Sequence, residues 1–258
     1  MLDASHSEIK ALVSASRSSR RHFFRTSAAV AVGGLLALTA PSLVRGTFGS
    51  AVLPAFASEE PAGISPDEAL KTLLEGNARY VAMQANHPSQ SLERRLEVAK
   101  GQHPLAVVLG CADSRVAPEL LFDQGLGDLF VVRVAGNIAD DAVEGSIEYA
   151  LEHLGARLVV VLGHERCGAV AAAVALAEQG GEAPGHLPAL LKPIDPAVVQ
   201  AKTMGGDVLD AAIIANVGNT VAQLKACEPL IKELVHDEKI KVVGARYDLD
   251  TGEVTIVA

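Results

Sequence analysis

The chain has 258 residues, 49% of them hydrophobic, with 22 lysines and arginines against 31 aspartates and glutamates. That length suits one or two domains with a substantial core, and the composition excludes wholesale disorder. A formal net charge of -9 argues against nucleic acid as a partner, and three cysteines are too few for a disulfide scaffold.

The charge is unevenly spread. Residues 1–57 carry six bases (Lys10, Arg17, Arg20, Arg21, Arg25, Arg45) and two acids (Asp3, Glu8), a net of +4, which leaves -13 on residues 58–258. Within the leader, Arg20-Arg21-His22-Phe23-Phe24-Arg25 precedes an uncharged run from Thr26 to Val44, and Ala55-Phe56-Ala57 follows. A basic region, a weakly apolar region and an A-x-A site, in that order, make an export signal. The paired arginines resemble those of bacterial twin-arginine signals. The expectation is a cleaved leader over 1–57, handled by the twin-arginine translocase, and a periplasmic or otherwise exported body over 58–258. A retained membrane anchor is the alternative, because nineteen uncharged residues can just span a bilayer. Gly33, Gly34, Thr39, Pro41 and Ser42 weaken it by keeping the run only mildly hydrophobic. The leader takes four of the nine aromatics, leaving Tyr80, Phe122, Phe130, Tyr149 and Tyr247. So few imply an aliphatic core, or one completed by a partner chain.

The body alternates helices with strands. Ser65-Pro66-Asp67-Glu68 combines an N-cap, a proline at the first helical position and a capping-box glutamate, and predicts a helix running to about Tyr80. A polar connector over 84–91 leads to a charged helix near Leu92–Lys100. Pro104–Leu109, Leu129–Val134 and Leu158–Leu162 are short continuous apolar runs, as expected of strands buried on both faces. Ala142–Leu154 has helical periodicity and stops at Gly155. Ala169–Glu178 predicts another helix, Gly180–Pro188 a loop, and Pro196–Lys202 and Val208–Val235 two further helical stretches, with Cys227 a buried helix thiol. Lys241–Tyr247 and Val254–Val257 read as closing strands, and the turn Asp250-Thr251-Gly252 makes the last one antiparallel. The fold class is therefore α/β: a parallel-core sheet flanked by helices, with an antiparallel edge strand.

In such a sheet the chemistry gathers at the carboxyl ends of the strands. The first strand ends in Gly110-Cys111-Ala112-Asp113-Ser114-Arg115, and the third in Gly163-His164-Glu165-Arg166-Cys167-Gly168. Cys111, His164 and Cys167 are all good zinc ligands, and three of them leave a tetrahedral ion one open position, the pattern of a catalytic site. A Cys111–Cys167 disulfide is the rival in an oxidising compartment. Asp113 and Arg115 favour catalysis, because a structural zinc has no use for a carboxylate held in a guanidinium fork two and four residues from its ligand. A plain surface ion pair is the bland alternative. The spacing of Gly163 and Gly168 suggests a phosphate loop, but Ala169 and Val170 stand where Lys and Ser/Thr are needed. No G-x-G-x-x-G follows a strand, which argues against a dinucleotide enzyme as well.

Cys111-Ala-Asp113-Ser-Arg115 with His164-x-x-Cys167 resembles the β-class carbonic anhydrases. The likeness extends from Leu70 to Val257 through Glu75–Arg79, Gly125–Asn137, Gly145–Ala150 and Val243–Leu249. The resemblance implies one zinc ion per chain on Cys111, His164 and Cys167, and hydration of carbon dioxide to bicarbonate by zinc-bound hydroxide. It implies that Asp113 either pairs with Arg115 or rotates onto zinc at low pH. It also implies a substrate pocket that uses Gln102, Phe130 and Tyr149, with Ala135 where valine is frequent. Val108 stands where a bicarbonate-inhibited subgroup carries tryptophan, so no such inhibition is expected. A homodimer or higher oligomer is implied too, with the pocket built across subunits and the N-terminal helices packed on the partner. Related enzymes that hydrolyse carbon disulfide or carbonyl sulfide remain an alternative, as does a zinc-binding protein without turnover. Export through the twin-arginine route carries folded proteins, so zinc can be loaded where thiols stay reduced.

Overall fold

A computed structural model describes residues 64–258; the leader and its twin-arginine and cleavage motifs lie outside the described residues. Helices α1 (Pro66–Val81) and α2 (Leu92–Val98) come first, and β1 (Ala106–Gly110) opens the sheet. A one-turn α3 (Pro118–Leu121), β2 (Leu129–Arg133), a 3-10 turn (Ala135–Asn137), α4 (Asp141–His153) and β3 (Leu158–His164) follow. Next come α5 (Gly168–Gln179), α6 (Leu187–Leu191), a second 3-10 turn (Lys192–Ile194), α7 (Asp195–Met204), α8 (Val208–Ala226) and α9 (Leu230–His236). β4 (Lys241–Tyr247) and β5 (Val254–Ile256) close the chain.

The sheet order is β2-β1-β3-β4-β5. The first four strands are mutually parallel and β5 runs antiparallel to β4, as the turn chemistry predicts. β1 and β3 are adjacent, yet β1 connects onward to β2 on one side and β3 to β4 on the other. Their carboxyl ends thus flank a topological switch point, the crevice where open α/β sheets place their sites.

Alternation along the buried strands divides the core between the two faces. Val107, Leu109, Val159 and Val161 pack with Ile147 of α4, Val217 and Leu224 of α8 and Ile231 of α9. Val108, Leu158, Val160 and Leu162 face the other way, onto Ala69 and Leu73 of α1 and Leu121 and Phe122. A third apolar cluster, containing Ile138, Val170, Ile194, Val198 and Ile213, surrounds Cys111 and Cys167 at the switch point.

Three local expectations need correction. α1 lies on its own chain's sheet: Leu73 is fully buried there, and Asn77 bridges the carbonyls of Leu121 and Gly252 and accepts from the Val254 amide. α2, by contrast, has no buried residue, and Leu92 and Leu96 are exposed. The stretch 208–235 is two helices, because Pro229 has no N–H to offer a continuing ladder. Cys227 therefore caps α8 and is only partly buried. Part of the expected 180–188 loop enters α6, where Pro188 sits in the first turn and so costs the helix no hydrogen bond. Among the described residues, no helix is long and apolar enough to cross a membrane.

Candidate metal centre

β1 delivers Cys111 and β3 delivers His164, and Cys167 is the N-cap of α5, three residues further on. One ligand atom from each lies within 4.8 Å of the others, and all three residues are buried. The two sulfurs are 4.0 Å apart. That is about twice a disulfide bond length, and both cysteines are free thiols. The imidazole is oriented by its own turn: Nδ1 lies 2.8 Å from the Glu165 carbonyl, so this nitrogen carries the proton. Nε2, fully buried and without a hydrogen-bond partner, faces the sulfurs. A buried nitrogen lone pair costs free energy unless something accepts it. Two sulfurs and one such nitrogen form a donor set suited to zinc.

The electrostatics of the cluster agree with that donor set. A hydrogen bond from Cys167, opposed by burial and assisted by the Gly136 amide, lowers the pKa of Cys111. The Cys167 pKa is pushed up, first by its hydrogen bond to Cys111 and then by burial. The pair thus gives up one proton readily and the second only when a cation compensates the charge, which is how metal binding couples to thiol ionisation.

Asp113 lies beside this group, its Oδ2 3.9 Å from His164 Nε2. Arg115 grips it with three donors: the backbone amide at 3.0 Å and Nε at 2.9 Å to Oδ1, and Nη2 at 2.8 Å to Oδ2. The Arg115 guanidinium is the chief reason the Asp113 carboxyl stays well below the usual carboxylate range.

Several supporting residues were not singled out from sequence. Arg133 donates to the carbonyls of Cys111 and Asp113 and so fixes the loop that carries both side chains. Its signal was a charge interrupting the apolar run Leu129–Val134. Arg246 on β4 joins Glu165, between the ligands, to Asp210 on α8. Arg166 adopts φ 50° and forms a bidentate pair with Asp250. These contacts connect residues 20 to 84 positions apart, which no local pattern reveals.

Gln102, Phe130 and Tyr149 do not converge on the metal cluster within one chain. Phe130 pairs in register with Val107, four residues before Cys111, which is roughly 13 Å along the strand. Tyr149 stays with Phe130, ring centroids 6.4 Å apart, and is partly exposed on α4. Gln102 precedes the opening end of β1, while Cys111 follows its closing end.

The sequence profile of the carbonic anhydrase family matches residues 106–254. "Carbonic anhydrase 2" of Mycobacterium tuberculosis is 45% identical over 192 residues, covering 74% of this chain and 93% of that protein. The carbonic anhydrase of Mycolicibacterium smegmatis is 44% identical with the same coverage. Among solved structures, the Coccomyxa β-carbonic anhydrase in complex with acetazolamide superposes with a TM-score of 0.57 at 28% identity, covering 73% of this chain and 86% of that one. A tetrameric β-carbonic anhydrase from Sordaria macrospora gives 0.56 at 25% identity, covering 73% and 96%. With a donor set fit for zinc at the switch point and these relatives along most of its body, the chain belongs to the β-class carbonic anhydrase family.

Proposed function

We propose that this chain catalyses the reversible hydration of carbon dioxide to bicarbonate and a proton, using one zinc ion held by Cys111, His164 and Cys167. The observation that carries the reading is the convergence of two buried sulfurs and one partnerless imidazole nitrogen beside a pinned carboxylate. When bound, zinc supplies Lewis acidity that brings the pKa of water toward about 7, a value established for three-histidine carbonic anhydrases.

The chain's own residues do the remainder. Asp113 is ionised at neutral pH and accepts a hydrogen bond from the attacking water, which aims a lone pair at carbon dioxide. Arg115 keeps that carboxylate turned toward itself, so it would not compete with water for a bound metal. Ile138, Val170, Ile194 and Ile213 pack around the sulfurs and give a nonpolar substrate a dry wall.

Gln102, Phe130 and Tyr149 complete the pocket from a partner subunit. The reading is supported by their distance from the metal cluster of their own chain and by the exposed Leu92 and Leu96 of α2, an apolar surface for a partner. The assembly is accordingly a homodimer or a higher oligomer. The leader directs export of the folded protein by the twin-arginine translocase, a reading that rests on Arg20, Arg21 and the Ala55-Phe56-Ala57 site. Its test is a blot for the loss of about 57 residues on export, together with Arg20→Lys/Arg21→Lys, which should abolish that shift.

Metal analysis tests the core of the reading. The wild-type chain is expected to carry one zinc, and Cys111→Ser and His164→Ala to carry far less. Parallel assays with carbon dioxide, carbonyl sulfide and carbon disulfide should show turnover dominated by carbon dioxide. Dominant carbon disulfide hydrolysis would transfer the same site to the sulfur substrates.

A further inference from the structure

The 3-10 turn after β2 is built around one sulfur. The Gly136 amide donates to Cys111 Sγ at 3.3 Å, and the Gly136 carbonyl accepts from Asn216 Nδ2 at 2.8 Å. Asn216 lies on α8, 80 residues away, and is 2% exposed. Its neighbours Ile213, Ala215 and Val217 are apolar and buried, so its amide is a deliberate polar insertion that costs free energy unless it is paired. Gly136 itself has φ 76°, and a Cβ there would meet Ile194 Cδ1 at 2.8 Å. The Asn137 amide closes the turn onto the Val134 carbonyl. The turn therefore favours glycine at 136, and beyond the Cys111 sulfur it is held from outside by the side chain of Asn216.

We propose that Asn216 is a positioning residue of the metal centre: by holding the Gly136 carbonyl it keeps the amide of the same residue on the Cys111 sulfur, and so sets how much negative charge that thiolate donates to zinc. The inference rests on the zinc reading above. A hydrogen bond to a ligating sulfur withdraws electron density from it. Without that bond the sulfur donates more strongly, the metal becomes a weaker Lewis acid, and water on it ionises at higher pH. Asn216 touches neither substrate nor metal; it acts through the backbone of Gly136.

The decisive variant is Asn216→Leu, which keeps the shape and removes the donor. Thr220→Val is the control: it is buried on the same helix one turn on and outside the metal centre. In cobalt-substituted protein, the thiolate-to-metal charge-transfer band of Asn216→Leu should shift to lower energy. The pH midpoint of carbon dioxide hydration should move upward, and Thr220→Val should show neither change. A second measurement starts from the wild-type chain. Loaded with cadmium-113, it should show a scalar coupling between the Gly136 amide proton and the metal, carried through Cys111 Sγ. That coupling should vanish in Asn216→Leu. An unshifted band in a folded Asn216→Leu, or no coupling in the wild type, would overturn the proposal while leaving the zinc site standing. A chain that takes up neither cobalt nor cadmium would overturn the zinc site itself.

Discussion

Asp113 Oδ2 lies 3.9 Å from His164 Nε2, and both oxygens of that carboxylate are held by Arg115. A hydrogen-bond acceptor thus waits at the metal centre with its own charge already balanced. Asp113→Ala should lower the hydration rate by about 100-fold or more while zinc stays bound, the usual scale for losing a proton-handling group. Stopped-flow assays with metal analysis check both halves, and an unchanged rate would remove Asp113 from the mechanism.

The same pair makes a pH prediction. Because Arg115 depresses the Asp113 pKa, the carboxylate is ionised throughout the neutral and mildly acidic range, and its pairing is lost only as pH falls through that lowered value. Arg115→Gln removes the principal cause, so the titration should move up toward about 3.9. Carboxyl carbon NMR of Asp113 reads the shift directly. Equal titration midpoints in the two proteins would contradict the assignment.

Asp123 makes a comparable prediction for stability. Its side chain is 1% exposed, and it accepts from Arg79 on α1 and from the amides of Asn86 and His87. Burial pushes its pKa up, but those donors outweigh burial and the net effect is a lowered value. A depressed carboxylate contributes stability above its unfolded pKa and loses it as pH falls through the folded one, so this contribution should fade below about pH 4. Asp123→Ala should cost about 2–3 kcal/mol in urea unfolding at neutral pH, because it leaves several donors unpaired. A loss below about 0.5 kcal/mol, the scatter of surface substitutions, would show that α1 is held by other contacts.

How far the sequence could be read varies with the distance between interacting residues. The strands β1 and β3 were legible because each is a continuous apolar run flanked by turn residues, whereas β2, expected to be buried on both faces, is a half-buried edge strand ending in Arg133; the cluster was legible because its ligands follow β1 and β3 directly. The break at Pro229 was legible in principle, since proline cannot continue a helical ladder, but the apolar run on both sides of it obscured the break. The seat of α1 was not legible. It depends on Gly76, where a Cβ would come within 1.8 Å of the Phe122 carbonyl oxygen, a contact made only in the folded chain. Asn216 and Arg133 were missed for the same reason: each acts on a backbone atom of a distant segment.

Gln102, Phe130 and Tyr149 lie away from the metal cluster of their own chain, and this gives a test by complementation. A chain with Cys111→Ser and a chain with Gln102→Ala, Phe130→Ala and Tyr149→Ala should each be nearly inactive. Unfolded and refolded together, they should recover part of the wild-type activity, because some mixed pockets receive intact residues from both chains. No recovery in mixtures shown to hold both chains would refute a pocket shared between subunits.

Val108 is fully buried against the α1 face of the sheet. With this small aliphatic residue there, bicarbonate should not suppress activity cooperatively. Initial-rate measurements across a bicarbonate series at fixed pH and ionic strength are expected to show simple product inhibition. A sigmoidal loss of activity would show that an inhibitory site exists without the aromatic residue.

The central claim is that these residues make a working carbon dioxide hydratase. Stopped-flow hydration by the purified protein, measured at neutral pH before and after zinc removal and again after zinc is restored, tests it most directly. The expected result is a rate far above buffer that falls with zinc content and returns with it. A protein carrying a full zinc ion per chain and hydrating carbon dioxide no faster than buffer would contradict the account.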